Sequence, residues 1–463
     1  MKGREYNTQL PFRMNNLIHR LIHNNNIASL AGNVSSAFFG LLSFVLLARS
    51  FPSDVFGEWV IYLTSATFVE MFRFGLTRSA LVRFLSGAEG QERRKLTGSN
   101  YAVGILITLV IVIVLYLLLL IFRDSITGSS YRLFFIWYPL LAIANLPFNN
   151  ALTIMQAELK FYQILVIRTL STAGFVLVLA LNYFLNWNLS LHVMVIAHLG
   201  INALTSTISI FRKWDGLTDI LYTNLQTLKT LLHFGKYTTI TLIGSNLLRS
   251  ADTFIISLSP MGSIAVALYA IPLKLTEMLQ IPLRSFAATA YPIMSKASIQ
   301  NETGKFKYYF YSYTGAITLL FVPVVLFGYI FAETLILILG GPEYLKPDLV
   351  PGEDAVFIFR IFVLYGLMLP LDRMTGVALD AINQPRKNFY KILFMVGANI
   401  VGDLVAVFVF DSLALVAVAT WVFTFIGMVV GYFYLKQEVE IQFRKIITVG
   451  FKSIRDFLPQ KRR

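Results

Sequence analysis

The sequence predicts an all-α, polytopic membrane protein with about twelve transmembrane helices in two six-helix lobes. Of its 463 residues, 56% are hydrophobic and only 14% are charged, whereas soluble domains are about 45–50% apolar and about 25% charged. Apolar runs recur from Ile27 to Leu435 without a polar linker long enough to separate soluble domains. The composition therefore excludes an ordinary soluble enzyme.

A helix that crosses a bilayer core of about 30 Å needs roughly 20 mostly apolar residues. The first residues of the chain are polar and basic, and the apolar run that follows is long enough to span. We therefore expect no cleavable signal peptide. The predicted spans are 27–48, 57–80, 99–122, 133–156, 165–184, 190–211, 237–258, 264–292, 309–331, 355–380, 391–410 and 413–435.

The distribution of basic residues predicts the orientation, because cytoplasmic loops accumulate Lys and Arg. With the N-terminus inside, the outer loops contain Arg49, Arg123, Arg132 and Lys346, and most of the other basic residues fall in inner segments. Both termini are therefore expected in the cytoplasm. The net charge of +14 follows largely from this topology, so it does not support nucleic-acid binding.

Two inner segments, 217–232 and 443–457, have the apolar spacing of amphipathic helices that do not span. We expect both to lie in the membrane interface, where anionic lipids attract basic residues, with docking of a protein partner as the alternative. The predicted organisation is a cytoplasmic N-terminal segment (1–26), an N-lobe (27–211), a cytoplasmic amphipathic linker (212–236), a C-lobe (237–435) and a basic cytoplasmic tail (436–463).

Known catalytic and metal-binding motifs do not occur in the sequence. There is no cysteine, which excludes disulfides, iron–sulfur clusters, Cys-ligated zinc and thiol nucleophiles. H-E-x-x-H and P-loop patterns are also missing. His19 and His23 precede the first span, where a solvated pair is expected rather than a metal site. We predict no cofactor, and energy from a proton or sodium gradient, from substrate consumption or from another subunit.

The two lobes show a weak internal repeat. FPSDVFGEWVIY precedes FVEMFRFGLTRSALVRFLS in the first lobe, and LSPMGSIAVALYAIP precedes LTEMLQIPLRSFAATAYPIMS in the second. Both pairs place a short turn with proline before an apolar run, an acidic residue beside Met, and then Arg. A parallel repeat of this kind predicts a substrate path between the lobes near the midplane. Chance similarity between two amphipathic membrane helices is the alternative.

These hairpins resemble those of the bacterial Wzx-type O-antigen and polysaccharide flippases, in the multidrug/oligosaccharidyl-lipid/polysaccharide (MOP) exporter superfamily. The resemblance covers residues 46–86 and 246–296. It implies a MATE-like fold that moves an undecaprenyl-pyrophosphate-linked oligosaccharide out of the cytoplasmic leaflet of the inner membrane. It also implies membrane lipids and other polysaccharide-assembly proteins as partners. Lipid II flippases of the superfamily usually carry two further helices, which this chain lacks.

Ionisable residues inside the predicted spans are the candidate site, because each costs about 2.5–3.5 kcal/mol at a helix centre unless it faces water or a partner. Arginine binds phosphate oxygens in pairs and keeps its charge. The headgroup candidates are Arg73, Arg78, Arg249, Lys274 and Arg284. The acidic and coupling candidates are Glu70, Asp252, Glu277, Asp372 and Asp403. The sugar-contact candidates are Thr77, Asn246, Tyr269 and Gln280.

Structural alternatives remain for these charges. Glu70/Arg73, Arg249/Asp252 and Lys274/Glu277 are i,i+3 pairs that would neutralise each other on one helix. Arg78 and Arg284 would equally extend toward the inner surface. Asp403 fits a proton or sodium site, or a hydrogen bond to a helix N-terminus.

Prolines inside the spans predict bends. They are Pro139, Pro147, Pro272, Pro282, Pro323 and Pro370.

Three functions compete at this point. A flippase for lipid-linked oligosaccharides is favoured over an ion-coupled multidrug or small-molecule antiporter, because cationic drugs favour a more acidic cavity. A membrane glycan polymerase would be expected to carry a large outer loop rich in Arg and His. The longest outer loop, 332–354, instead has Lys346 among five acidic residues. A transporter is therefore expected rather than an enzyme.

Overall fold

The computed structural model describes residues 25–346 and 348–457. Within these ranges, the side chains of 25–27, 236–238, 240–245, 248–249 and 454–457 are not described. The predictions for His19, His23, most of the N-terminal segment and the end of the basic tail therefore lie outside the described residues, as does the side chain of Arg249. The described residues form helices and connecting turns, with no strand.

Each predicted span coincides with one helix or with two consecutive helices. The earlier helices are α1 (Asn25–Ser50), α2 (Ser53–Leu85), α3 (Gly90–Ile121), α4 (Arg123–Thr127), α5 (Arg132–Ala144), α6 (Leu146–Ala157), α7 (Phe161–Phe184) and α8 (Leu191–Phe211). The later helices are α9 (Leu225–Ser257), α10 (Gly262–Ile299), α11 (Thr303–Ile330), α12 (Ala332–Leu339), α13 (Ala355–Tyr365), α14 (Leu369–Ala381), α15 (Pro385–Phe408), α16 (Leu413–Val439) and α17 (Phe443–Phe457). Single 3-10 turns lie at Leu217–Tyr222 and Pro342–Leu345.

Length and hydropathy identify the membrane-crossing helices. In the described part of the chain, eight helices are long and apolar enough to cross a bilayer, and the pair α13 and α14 adds a ninth span bent by 41°. The predicted spans 57–80 and 237–258 coincide with α2 and α9, which carry many of the intramembrane charges. This confirms a polytopic, all-α membrane protein.

Two of the predicted proline bends are complete breaks. Pro147 and Pro370 lie in the first turn of α6 and α14, where the missing proline N–H is not needed. The spans predicted at 133–156 and 355–380 are therefore each divided into two helices. By contrast, Pro139, Pro272, Pro282 and Pro323 lie inside continuous helices, as does Pro292.

The chain divides into two compact units. The first contains residues up to Ser50, Val69–Ser125 and Phe135–Thr241, and the second contains Phe51–Phe68, Ile126–Phe134 and the residues from Leu242 onward. The N-terminal half of α2 therefore belongs to the second unit. A Cβ atom on Gly57 would lie 1.9 Å from the Ser263 carbonyl oxygen, so only glycine permits this backbone contact.

The linker differs from the predicted interfacial helix over 217–232. Residues Leu217–Tyr222 form a 3-10 turn, and α9 already begins at Leu225. The turn packs on α3 so closely that a Cβ atom on Gly98 would lie 2.0 Å from the Asp219 carbonyl oxygen. Thr97 donates a hydrogen bond of 2.7 Å to the Asp219 carboxylate. Tertiary contact with α3 therefore replaces the single amphipathic helix that the leucine spacing predicted.

The C-terminal helix α17 packs against α11 in the second unit. Gly450 lies against Gly315, where a Cβ atom on Gly450 would lie 2.4 Å from the Gly315 backbone. Ser312 donates a hydrogen bond of 2.7 Å to Ser453. The apolar residues Phe443, Ile447 and Phe451 remain exposed. This helix thus has one packed face and one exposed apolar face.

The packing of α17 predicts a specific cross-link. Because the chain has no cysteine, the double variant Ser312→Cys/Ser453→Cys should form an intramolecular disulfide under mild oxidation, as the two hydroxyl oxygens are 2.7 Å apart. Electrophoretic mobility before and after reduction measures this. The pair Ser312→Cys/Thr448→Cys is the control, since Thr448 lies on the exposed side of α17. Equal cross-linking of both pairs would contradict the packing.

Candidate functional site

A cavity of about 490 Å³ lies within the second unit, enclosed by α9, α10 and α13 to α16. Six of the residues selected from the sequence line it: Asn246, Asp252, Glu277, Gln280, Arg284 and Asp372. Arg373 and Asp380, two further charges of the predicted span 355–380, also line it. Polar lining residues that the sequence analysis did not single out are Thr276, Asn388, Lys391, Asn399, Thr420 and Thr424. The cavity therefore brings together charges from helices that are distant in sequence.

Three carboxylates in the lining form an ion pair or hydrogen bonds with neighbouring side chains. Lys391, whose side chain is only 3% exposed, lies 2.6 Å from the Asp372 carboxylate. Asp380 accepts two hydrogen bonds of 3.1 Å from the Asn388 amide. Glu277 pairs with Lys274 at 3.1 Å, so the expected i,i+3 ion pair forms. These contacts neutralise or satisfy the acidic groups within the protein.

Arginines supply the most accessible charge in the lining. Among the described charged residues that line the cavity, Arg284 and Arg373 are the most exposed, and the Glu277 side chain, which is 37% exposed, is paired with Lys274. Arg284 comes from α10 and Arg373 from α14, the second half of the broken span. Two guanidinium groups can together offer several N–H donors to an anion. The cavity can therefore receive an anionic group.

Two buried carboxyl groups lie beside the cavity. The Asn399 amide nitrogen donates to Asp252 Oδ1 at 3.3 Å and to Asp403 Oδ2 at 2.8 Å. The Tyr269 hydroxyl donates to the other oxygen of Asp252 at 2.7 Å. The carboxyl groups of Asp252 and Asp403 are therefore held close together around one amide nitrogen, and neither forms an ion pair with a described side chain.

Asp403 also has a buried oxygen, Oδ1, that accepts no hydrogen bond from the described residues. Two carboxyl groups in contact repel each other unless a proton or a cation lies between them. The described residues contain no cluster of three or more His, Cys, Asp and Glu side chains. The carboxyl pair can therefore bind a proton or a monovalent cation more readily than a transition metal.

Other predicted residues lie in the first unit, where Glu70 and Arg73 form a buried ion pair of 3.2 Å. Arg73 also donates to the Ala142 carbonyl oxygen at 2.6 Å. Glu70 accepts hydrogen bonds from Tyr138 at 2.9 Å and from Asn149 at 3.0 Å. Arg73 is 1% exposed, so its charge is used within the helix packing.

The remaining predicted residues are also accounted for. Thr77 is buried in the first unit, and Arg78 donates to the Gln156 side chain at 3.0 Å. Tyr269 is 1% exposed, and its hydroxyl is held by Asp252 rather than directed into the cavity. Asn399 was missed, although its position four residues before Asp403 places both on one face of α15.

The buried pair in the first unit predicts a large loss of stability on mutation. Glu70→Gln should lower the free energy of unfolding by about 3–5 kcal/mol, because it leaves the buried Arg73 charge without its carboxylate. Thermal or denaturant unfolding in detergent measures the change. Glu89→Gln, at an exposed position in the turn before α3, is the matched control. Equal unfolding of both variants would contradict a structural role for the pair.

Comparison with protein-family models identifies the family to which the chain belongs. The family model for the polysaccharide biosynthesis protein matches residues 22–298, more than half of the chain. The chain belongs to the polysaccharide biosynthesis protein family. The match includes all of α1 to α9 and nearly all of α10, and thus the part of α10 that carries Glu277, Gln280 and Arg284. No curated protein sequence matches this family member significantly.

Solved structures place the family member in the MOP fold. An inward-facing multidrug resistance MATE transporter of the MOP superfamily has a TM-score of 0.72 at 14% identity, covering 88% of this chain and 94% of its own. The lipid II flippase MurJ, in an inward closed conformation, has a TM-score of 0.67 at 18% identity, covering 93% and 91%. A MOP superfamily transporter from Pyrococcus furiosus, described as having a binding pocket of reverse polarity, has a TM-score of 0.60 at 15% identity, covering 91% and 96%. These likenesses confirm the MATE-like fold that the sequence predicted.

Proposed function

We propose that this member of the polysaccharide biosynthesis protein family is a flippase rather than an enzyme. Its substrate would be an undecaprenyl-pyrophosphate-linked oligosaccharide, either an O-antigen unit or another surface polysaccharide repeat unit. It would move this substrate from the cytoplasmic to the periplasmic leaflet of the bacterial inner membrane by alternating access. The observation that carries the proposal is the cavity to which Arg284 and Arg373 contribute exposed positive charge, while the lining carboxylate of Glu277 is paired with Lys274.

The chemistry of the cavity fits a pyrophosphate headgroup. Arginine presents a planar fork of donors that matches phosphate oxygens and does not lose its proton at physiological pH. The amides of Asn246 and Gln280 line the same cavity and suit hydroxyl groups of the sugar nearest the phosphates. The polyprenyl chain need not enter, because it remains in the lipid while the polar part crosses.

The buried carboxyl pair would provide the energy coupling. Asp252 contributes to the wall of the cavity, and Asp403 lies directly behind it through their shared contact with Asn399. Binding of a proton or a sodium ion there would remove the repulsion between the two carboxylates and stabilise that arrangement of α9 and α15. A gradient of that ion would then drive the transport cycle, with no bound cofactor.

An ion-coupled multidrug antiporter is the second candidate, and the acidic residues of the cavity favour it. Asp252, Glu277, Asp372 and Asp380 all line the cavity and would attract an organic cation. However, the described hydrogen bonds and ion pairs already engage these four carboxylates. The exposed arginines would repel a cationic drug, so the flippase is the better fit.

Reconstitution separates the two functions. Proteoliposomes carrying a lipid-pyrophosphate oligosaccharide are treated with an external glycan-modifying enzyme, and the fraction that becomes accessible is compared with that of protein-free liposomes. The same vesicles are loaded with a fluorescent organic cation under pH and sodium gradients. The proposal expects glycan translocation without export of the cation. Export of the cation without glycan translocation under either gradient would support the antiporter.

The membrane environment and partners follow from the same proposal. The substrate is itself a lipid, so the protein would act within the bilayer and require neither a soluble carrier nor nucleic acid. The two termini would face the cytoplasm, where the basic segments contact anionic lipids. Proteins that assemble or polymerise the polysaccharide would supply and remove the substrate.

A further inference from the structure

A second polar cavity lies in the first unit and shares no lining residue with the site proposed above. Its volume is about 160 Å³, and it is enclosed by α1, α2, α6 and α7. We call it the arginine pocket, after its polar lining residues: Arg78, Arg168, Gln156, Asn33 and Ser29. One water molecule needs roughly 10–15 Å³ of such volume, so the pocket has room for a phosphate group but not for an oligosaccharide.

The charge inside the arginine pocket is unbalanced. Arg78 and Arg168 line the same cavity of about 160 Å³, so two positive charges share a small volume. Among the described residues that line the pocket, none is acidic. Arg78 donates to the neutral Gln156 side chain at 3.0 Å, and no ion pair involving either arginine occurs in the described part of the chain. Two like charges in one small cavity favour an anion between them.

Glu158, the acidic residue that follows α6, does not supply an anion to the arginine pocket. Glu158 forms ion pairs of 2.7 Å with Arg93 and 2.6 Å with Lys160. Burial raises the pKa of Glu158, but hydrogen bonds from Lys160 and Arg93 outweigh burial and hold the pKa below its ordinary value. Glu158 is therefore ionised at neutral pH and already engaged by two other cations, which leaves the charge of Arg78 and Arg168 uncompensated.

The depth of the pocket identifies where its ligand would come from. Arg78 lies seven residues before the end of α2 at Leu85, and Arg168 lies seven residues after the start of α7 at Phe161. At 1.5 Å per residue, both are about 10 Å from helix ends that the charge distribution assigns to the cytoplasmic side. A polar headgroup region several ångströms thick bounds each side of the hydrocarbon core, so we expect the two arginines near the boundary between headgroups and acyl chains. A lipid headgroup can reach it from the membrane.

We propose that the arginine pocket binds the phosphate of an anionic membrane lipid from the cytoplasmic leaflet. Arg78 and Arg168 hold the phosphate oxygens from two sides, and Ser29, Asn33 and the Gln156 amide contribute neutral hydrogen-bonding groups. The lipid is either the polyprenyl-pyrophosphate substrate, in which case the inference rests on the proposed function and the pocket is an entry site, or a bulk phospholipid. Both share the same phosphate chemistry.

Native mass spectrometry of the full-length protein tests this inference, because it counts bound lipids without measuring transport. The probes are phosphatidylglycerol and a polyprenyl pyrophosphate, each added alone and in competition. The variant Arg78→Gln/Arg168→Gln should lose one bound lipid per protein, with binding weakened about tenfold or more for each arginine. Arg212→Gln, at an exposed position after α8, is the control and should bind like the wild type.

The outcomes separate the two lipids. If polyprenyl pyrophosphate displaces bound phosphatidylglycerol but phosphatidylglycerol does not displace bound polyprenyl pyrophosphate, the pocket is assigned to the substrate. Equal competition between the two lipids assigns it to bulk phospholipid. Without lipid, the double variant should have a melting temperature equal to or above that of the wild type, because the repulsion between the two arginines is gone. Added lipid should raise the melting temperature of the wild type but not that of the double variant. Arg168→Lys should retain part of the binding. Unchanged lipid counts in the double variant, or in Arg168→Gln if the double variant does not fold, would overturn the proposal.

Discussion

Arg284→Ala combined with Arg373→Ala is expected to reduce oligosaccharide translocation by about a hundredfold or more. Each arginine is an exposed charged residue of the cavity in the second unit, and a charge-assisted contact with phosphate is worth about 1.5–3 kcal/mol, or roughly tenfold in binding. The measurement is the initial rate at which the lipid-linked glycan becomes accessible outside proteoliposomes. The single variants should each lose about tenfold.

Two controls make this result specific. Arg386→Ala removes an exposed arginine that does not line the cavity, although it lies on α15, and should leave the rate within about twofold. Arg284→Lys keeps the charge but loses the fork of donors, so its rate should fall between those of wild type and Arg284→Ala. Wild-type rates for the double variant, with normal insertion into the membrane, would exclude the cavity as the headgroup site.

Asp403→Asn is expected to abolish the dependence of transport on an ion gradient. The variant keeps the size of the side chain but leaves Asp252 as the one carboxylate in contact with Asn399. A single carboxylate does not need a shared proton or cation to relieve repulsion. The ion therefore no longer binds one conformation of the transport cycle much more tightly than the other. The measurement is the ratio of translocation rates with and without a proton or sodium gradient, which should fall to about one.

The matched control is Asp411→Asn, in the exposed turn between α15 and α16, where the positive φ of 48° also suits asparagine. Its response to the gradient should equal that of the wild type. Comparing pH and sodium gradients separately identifies the ion. If Asp403→Asn responds to either gradient as strongly as wild type does, the carboxyl pair is not the coupling site.

The sequence predicted the fold well, because a membrane span is a local property. About 20 apolar residues in a row specify a helix regardless of what packs against it, and every predicted span coincides with helical residues. The breaks at Asn145 and at Gly366–Met368 were harder to predict. Pro147 and Pro370 begin new helices, whereas Pro272 and Pro282 remain inside α10, and proline alone does not distinguish these cases.

Side-chain partners were predictable only within one helix. Glu70/Arg73 and Lys274/Glu277 pair as their i,i+3 spacing allows. Asp252 accepts hydrogen bonds from Tyr269 of α10 and Asn399 of α15, partners that its spacing from other charges on α9 does not predict. The partners Tyr138 and Asn149 of Glu70 also come from other helices. Such contacts depend on how the helices pack, which the pattern of a single helix does not contain.

The near balance of charge around the cavity in the second unit has an electrical consequence. The lining combines the carboxylates of Asp252, Glu277, Asp372 and Asp380 with the cations of Arg284, Arg373 and Lys391. A membrane potential acts on net charge, at about 2.3 kcal/mol per elementary charge per 100 mV. With all seven groups ionised, the lining carries one net negative charge, so in the proposed flippase the empty protein would respond to voltage through that one charge alone. On an anionic headgroup of the proposed substrate the field would add to this, because a negative interior would drive it outward.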